Sequence, residues 1–415
     1  MIRIAKALAV PAWAGYYNDD LAAIRNGARR DGMFYEGAAV TTGFDSIRVA
    51  GEAASIVLVL DTGQTVVGDA VSVAYSGAGG RQTRFRHAEQ LPLMKSFCET
   101  LEGQPIRGFL ELSDWLEAQP FDNPTLHRAA VEYGVSQALL HAVAEVRRLT
   151  CAEVLADELG IQLGTDPVPI NVQCGDERQL GVDKAILRRA DVLPQGLINS
   201  DDLVGPQGEQ LQQYVSWIVG RVKKYGPADY RPEFHIDTYG LLGKVFGHDS
   251  QRIARYIAGL AERAEPYAFC LETPVLMDSR AAQIEQFGAI RHELKKVGST
   301  AQLVVDEWAN HLEDIRAWIE ADATDMINVK SPDLGSVGNA ARAVLACWQA
   351  GVRPILGGSC TDTDQSARTI SHVALATRPA WILARPGMGI DEGFQIVHNE
   401  MIRTLAIVRA RKNLV

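Results

Sequence analysis

A chain of 415 residues is too long for one ordinary domain and suits two, and with 47% hydrophobic and 22% charged residues it can bury a large core, which excludes global disorder. Its formal net charge of -10 argues against a nucleic-acid partner, which calls for a basic face, although an acidic surface can still surround a locally positive site made by a metal ion and a lysine. No stretch approaches the ~20 consecutive apolar residues that a membrane span needs.

The first apolar run is cut short at Pro11, too soon for a secretory signal, and Ile2 to Val10 is read as a strand. Ile56 to Leu60, Thr65 to Val67 and Val71 to Tyr75 continue the pattern, giving a small, mostly antiparallel sheet. Residues 87–160 are helical in pattern, with long apolar periodicity from Ala129 to Ala156. Strands first and helices second predict an α+β domain over residues 1–163.

From Val168 short apolar segments alternate with helical stretches: Pro169 to Gln173, Val192-Leu193, Phe234 to Asp237, Ala268 to Glu272, Leu303 to Asp306, Met326 to Lys330 and Pro354 to Gly357. Helices are expected over Glu209 to Lys224, Ser250 to Ala264, Arg280 to Lys296 and Ser336 to Gln349. Repeated βα units make a parallel sheet, and this many favour a closed TIM-type (β/α) barrel over residues 164–415, with a C-terminal helical segment. The boundary falls near 160–168. Six scattered cysteines (Cys98, Cys151, Cys174, Cys270, Cys347, Cys360) with no C-x-x-C pair fit reduced thiols in a soluble, cytoplasmic protein.

Three of the strand segments end in an acid: Asp237 in FHIDTYG, Glu272 in FCLETPV and Asp306 in LVVDEW. Their spacings of 35 and 34 residues equal about one βα unit each, so a barrel presents all three at its carboxyl-terminal rim, where such folds place their chemistry. Carboxylates from separate strands suit a hard cation such as Mg²⁺. The next strand ends in Lys330, and the one after it in Gly357 to Cys360. A carbon-bound proton beside a carboxylate is very weakly acidic, because its removal loads more negative charge onto that carboxylate. A divalent cation on the carboxylate oxygens stabilises that charge, and a lysine near the metal, with its pKa depressed, can take the proton. Taken singly, a strand-terminal acid is more often a helix cap or a salt-bridge partner. The ordered series at one strand-end position is what favours the metal reading.

The order Asp, Glu, Asp, Lys on barrel strands resembles the enolase superfamily, and the local motifs resemble its methylaspartate ammonia-lyase family. They run nearly end to end: RNGARRDGMFYEG (25–37), VAYSGAGGR (73–81), YGVSQALLHA (133–142), VDKAILRRADVLP (182–194), FHIDTYG (234–240), VDEW (305–308), VKSPDLGSVGN (329–339) and ARPGMGIDEGFQIVHNEMIRTLA (384–406). The resemblance implies that the first domain caps the barrel mouth, that Asp237, Glu272 and Asp306 hold Mg²⁺, and that Lys330 is the base for the S configuration. It implies that Gln173, Gln195, Asn328, Ser359 and Cys360 line the substrate site, Cys360 acting mainly through its backbone. The implied reaction is loss of ammonia from a 3-substituted aspartate, giving mesaconate from L-threo-3-methylaspartate. The family is typically dimeric and responds to K⁺, for which the sequence shows no readable ligand set.

Four positions depart from the family pattern. Gln195 stands where a second base, His, is usual, and glutamine takes up no proton at neutral pH. Ala74 and Asn328 stand where Gln is usual, and Ser359 where Thr is. The last three are smaller than the usual residue, which predicts a roomier pocket or simple drift. Two rival readings follow: a dehydratase or epimerase on another carboxylate using the same scaffold, and a catalytically idle binding protein. The intact acids and lysine argue against the second.

Other signals are weaker. YSGAGGR (75–81) and GLLGKVFG (240–247) lack the spacing of a phosphate loop, and the glycines of the first are read as letting a cap loop approach the site. His235 shares a strand face with Asp237 and is either a support for the site or a satisfied interior histidine. Cys360 has no histidine nearby in sequence to activate it as a nucleophile, and the tryptophans are too scattered for a nucleic-acid stacking platform.

Overall fold

The computed structural model describes residues 1–120, 123 and 125–412, so the last three residues of the expected barrel domain, 413–415, lie outside the described residues. Its amino-terminal part holds β1 (Ile4–Asp19), the short antiparallel pair β2 (Arg29–Asp31) and β3 (Phe34–Glu36), then β4 (Arg48–Leu60) and β5 (Thr65–Val71). β1, β4 and β5 form an antiparallel sheet in that order.

The first strand does not stop at Val10 as expected. It continues through Pro11, which sits opposite Ala54 on an edge strand, where a missing N–H breaks no ladder. A register shift between Trp13 and Tyr17 redirects the strand, and Gly15 N then donates to Thr361 O of the barrel at 3.1 Å. The expected strands 65–67 and 71–75 are one strand, Thr65–Val71, followed by a turn. Ser76 Oγ closes that turn on Val73 O at 2.6 Å, so residues 73–76 leave the sheet and enter the barrel mouth.

The periodic stretch from 129 to 156 becomes two helices, Arg128–Arg147 and Cys151–Glu158. Arg148 breaks them with φ 54, and a capping box of Thr150 with Glu153 starts the second. The first of them packs on β4 and β5 and forms the core of the cap.

Eight parallel strands close the barrel: β6 (Ile170–Asn171), β7 (Val192–Pro194), β8 (Glu233–Asp237), β9 (Phe269–Glu272), β10 (Gln302–Val305), β11 (Met326–Lys330), β12 (Arg353–Gly357) and β13 (Trp381–Leu383). Seven match the expected segments. The eighth, Trp381–Leu383, was not among them: three residues are too few to show a period. The fold class read from the sequence is the one observed. The helices Ser250–Ala264 and Arg280–Lys296 have the expected bounds, Glu209–Tyr225 runs one residue further, and Val337–Gln349 starts after Ser336, whose hydroxyl caps it by accepting from Asn339 N.

Side-chain alternation then positions the site. Val192, Cys270, Val304, Met326, Ile355 and Trp381 pack together as an apolar floor inside the barrel. Two residues further along four of those strands, on the same inward face, stand Glu272, Asp306, Asn328 and Gly357. All six cysteines are buried and free, and among the described residues no helix is long and apolar enough to cross a membrane.

Candidate active site

Asp237 ends β8, Glu272 ends β9 and Asp306 follows β10, so neighbouring parallel strands bring the three acids to one rim. One oxygen from each lies within 4.8 Å of the others, and all three side chains are buried. The chain turns sharply just beyond each acid: Tyr239, Thr273 and Trp308 hold φ of 46, 44 and 64. Left-handed backbone is costly for such bulky or β-branched residues, and strain of this kind collects at functional sites.

Three buried carboxylates so close together repel one another, and each has lost water. Burial, with Glu272 adding repulsion, pushes Asp237 well above the usual carboxylate range. Asp306 is pushed up to about 7 by burial, against the pull of Lys330 and Arg81. Burial also works against the Glu272 charge, but His235 and Lys330 outweigh it and hold that carboxyl down at about 2. A hard divalent cation relieves the crowding, and oxygen donors from three strands are the set it takes. The residues present therefore fit Mg²⁺.

Lys330, at the end of β11, donates to Asp306 Oδ2. Burial alone lowers the pKa of a lysine, yet here the Asp306 carboxylate outweighs it and the pKa is raised. The depressed value expected for a metal-loaded site is thus reversed while Asp306 serves as the lysine's counter-ion. Arg81, supplied by the cap, holds the other oxygen: it donates to Asp306 Oδ1 at 2.9 Å, to Asp333 Oδ2 at 2.6 Å and to Glu307 Oε1 at 3.4 Å. Gly79 lets this loop in, since a Cβ there would lie 2.6 Å from the Glu307 side chain.

Glu272 is held on every side. His235 Nε2 lies 2.8 Å from its Oε2, Gln195 Nε2 donates to the same oxygen at 3.0 Å, and Asn328 Nδ2 donates to Oε1 at 2.7 Å. Asn171 Nδ2 approaches His235 Nδ1 at 2.9 Å, which leaves Nε2 as the ring N–H facing the carboxylate. Of the two readings of His235, the geometry is that of a support for the site.

Asp237 and Lys330 border a cleft between cap and barrel. Gln173, Gln195, Asn328, Ser359 and Cys360 all line it, together with Asp237 and Lys330. The cap contributes Tyr16, Asp19, Ala74, Tyr75 and Arg81. Ser359 Oγ accepts from Ala74 N at 2.9 Å and donates to Thr361 Oγ1 at 2.7 Å, whose own proton goes to Ser72 O at 2.7 Å. The loop that carries it is fixed by the buried Asp362, which accepts from Ser359 N, Tyr133 of the cap and Arg385. Burial pushes the Cys360 thiol up to about 12, so it is not a ready nucleophile.

The three acids named from the sequence cluster at the rim, and Lys330 and the five expected lining residues border the cleft with Asp237, but sequence reasoning missed what surrounds them. Arg81 was read only as the end of a glycine loop, Glu307 not at all, and Tyr16 and Asp19 fell in the part of β1 beyond the expected strand. The signal for Arg81 was a single basic residue after a glycine run, which has many commoner meanings.

Comparison with known proteins agrees with this geometry. Residues 2–160 match the family model of the methylaspartate ammonia-lyase N-terminus, and residues 162–410 that of its C-terminus. Methylaspartate ammonia-lyase 1 of Carboxydothermus hydrogenoformans is 43% identical, covering 99% of this chain and 98% of the relative. The crystal structure of Citrobacter amalonaticus methylaspartate ammonia lyase containing (2S,3S)-3-methylaspartic acid superposes with TM-score 0.94 at 41% identity, over 98% of this chain and 100% of that one. The Mg complex of beta-methylaspartase from Clostridium tetanomorphum gives TM-score 0.90 at 40% identity, over 99% and 100%. With both family models matched in order and the barrel, cap and acid cluster in place, the chain belongs to the methylaspartate ammonia-lyase family, a family of carbon–nitrogen lyases.

Proposed function

We propose that this protein eliminates ammonia from L-threo-3-methylaspartate, or a close 3-substituted aspartate, to give mesaconate or its analogue. The single observation that carries the reading is the convergence of Asp237, Glu272 and Asp306 on one point, with Lys330 touching the last of them. The relatives' activity and the Mg complex of one of them support it.

Asp237, Glu272 and Asp306 would hold Mg²⁺. When bound, the ion supplies positive charge that stabilises the negative charge building on the substrate carboxylate. Lys330 Nζ would accept the C3 proton in its neutral form, which it would reach if Asp306, now its counter-ion, instead held the ion. Gln173, Ser359 and the Cys360 backbone receive carboxylate oxygens, and Gln195 and Asn328 complete the polar wall. The cap, which brings in Tyr16 from β1 and Tyr75 and Arg81 from the loop after β5, closes the cleft and limits water. A dimer of this chain belongs to the same reading on family likeness, and sedimentation at twice the chain mass tests it.

The direct test incubates the protein with Mg²⁺ and threo-3-methylaspartate and follows the ultraviolet absorbance of the unsaturated diacid. Metal-dependent appearance of mesaconate is expected. Silence in that assay, with deuterium exchange on other amino or hydroxy acids, would instead favour a dehydratase or epimerase, a reading to which Ala74 and Gln195 lend weight.

A further inference from the structure

We propose that Gln195 and Asn328 are positioning residues that act through the metal ligand Glu272, fixing the plane of its carboxylate before a cation arrives. The inference rests on the reading of the three acids as the Mg²⁺ site.

The geometry comes from the barrel itself. Alternate strands of such a barrel contribute side chains to the same interior layer. Glu272 is on β9, Asn328 is on β11 and Gln195 follows β7, so the two amides reach Glu272 from opposite sides of one layer. Each donates to a different oxygen, Asn328 to Oε1 and Gln195 to Oε2, while His235 from the adjacent β8 also meets Oε2. With donors on both oxygens the carboxylate cannot rotate about its last bond without breaking a contact.

The amides have little else to do with their NH₂ groups. Gln195 and Asn328 are 4% and 3% exposed, and the carbonyl oxygens of both have no hydrogen-bond partner among the described residues. Turning either amide over would set a carbonyl oxygen against the carboxylate, so Glu272 dictates which end faces it. Asn328 has its place because position 357 is glycine: a Cβ there would lie 1.7 Å from Asn328 Oδ1. The shortness of Asn328 and the bareness of Gly357 are one packing solution. Groups that orient a metal ligand in this way commonly change affinity 10–100-fold when removed.

Calorimetric titration of substrate-free protein with MgCl₂ tests the proposal. Asn328→Ala and Gln195→Met should each weaken Mg²⁺ binding to the substrate-free protein about tenfold or more. Gln195→His, which restores an N–H donor, should recover most of the affinity. Gly357→Ala, which displaces Asn328 without altering it, should imitate Asn328→Ala. Unchanged Mg²⁺ affinity in Asn328→Ala and Gln195→Met would overturn the proposal and leave both residues as lining of the substrate cleft only. A lower melting temperature with unchanged affinity would also overturn it, as a purely structural role. If wild-type protein takes up no Mg²⁺, or takes it up equally well as Asp306→Asn, the reading of the metal site itself fails.

Discussion

Arg81 and Asp306 stand 225 residues apart in the chain and 2.9 Å apart in space, the first on the cap and the second at the barrel rim. Their contact makes the catalytic centre a property of the closed cap–barrel unit. Arg81 also faces Glu307 and Asp333, so one buried guanidinium balances three carboxylates. Removing one partner of a buried charge cluster typically costs about 3–5 kcal/mol. Arg81→Met should therefore melt well below wild type without metal. Mg²⁺ should raise its melting temperature by more than it raises that of wild type, because the ion replaces lost positive charge. Equal Mg²⁺-induced shifts in the two proteins would show that Arg81 does not balance the metal ligands.

Gln195 bears on stereochemistry. It lines the cleft where the family's second base is expected, and an amide accepts no proton at neutral pH. Wild-type protein in heavy water should exchange the C3 proton of one 3-methylaspartate epimer, through Lys330, and leave the other nearly untouched. Lys330→Ala should lower exchange of the first by about 10²–10⁴-fold or more while keeping the fold. Proton NMR of both epimers reads the outcome, and comparable exchange from the two sinks the one-base account.

The acids, the lysine and their lining were legible in the sequence for a physical reason. Strands alternate in and out, so an acid closing an apolar run in a repeated βα pattern has to meet its counterparts at the rim. Four of the barrel's helices were legible because an apolar face keeps a regular period, as in Ser250–Ala264, whereas Arg178–Arg188, Leu312–Glu320 and Asp364–Thr377 were not named. Arg81, Glu307 and the roles of Gln195 and Asn328 were not, since each depends on how two distant segments approach. Trp381–Leu383 is set by pairing with β12 and β6 and not by any pattern of its own. The length of β1 was hidden by Pro11, which an edge strand tolerates.

Gly15 marks where β1 touches the loop that carries Ser359 and Cys360. A Cβ at this position would lie 2.3 Å from both Asp362 O and Pro386 Cβ. Gly15→Val must push the cap strand off the loop, breaking the 3.1 Å bond from Gly15 N to Thr361 O. Overpacking of this kind costs about 1–3 kcal/mol. Chemical denaturation should show that loss, and KM should rise more than kcat falls, because the substrate loop moves while the acids and lysine stay. A fall in kcat alone would show that the strand's contact does not shape the substrate loop.

Glu132 gives a pH dependence away from the metal centre. It sits on the cap helix against the loop that follows Lys330, where a Cβ on Gly335 would be 2.4 Å from its Oε2. Burial raises its pKa from 4.5 to about 7, although Arg128 pairs with it at 2.7 Å and pulls the other way. For a carboxyl with a raised folded-state pKa the sign is fixed. Below pH 4.5 the group is protonated in both folded and unfolded chains and costs nothing. Between the two values the unfolded chain releases its proton and the folded one keeps it, so stability falls as pH rises to about 7 and then levels off. At one pKa unit per 1.36 kcal/mol the full cost is at most about 3 kcal/mol. Glu132→Gln keeps the shape and removes the charge. Its melting temperature should exceed that of wild type at pH 8 and approach it well below pH 4.5, where both side chains are neutral. Should the substitution lower stability at pH 8, the ion pair with Arg128 outweighs burial and the sign assigned to Glu132 is wrong.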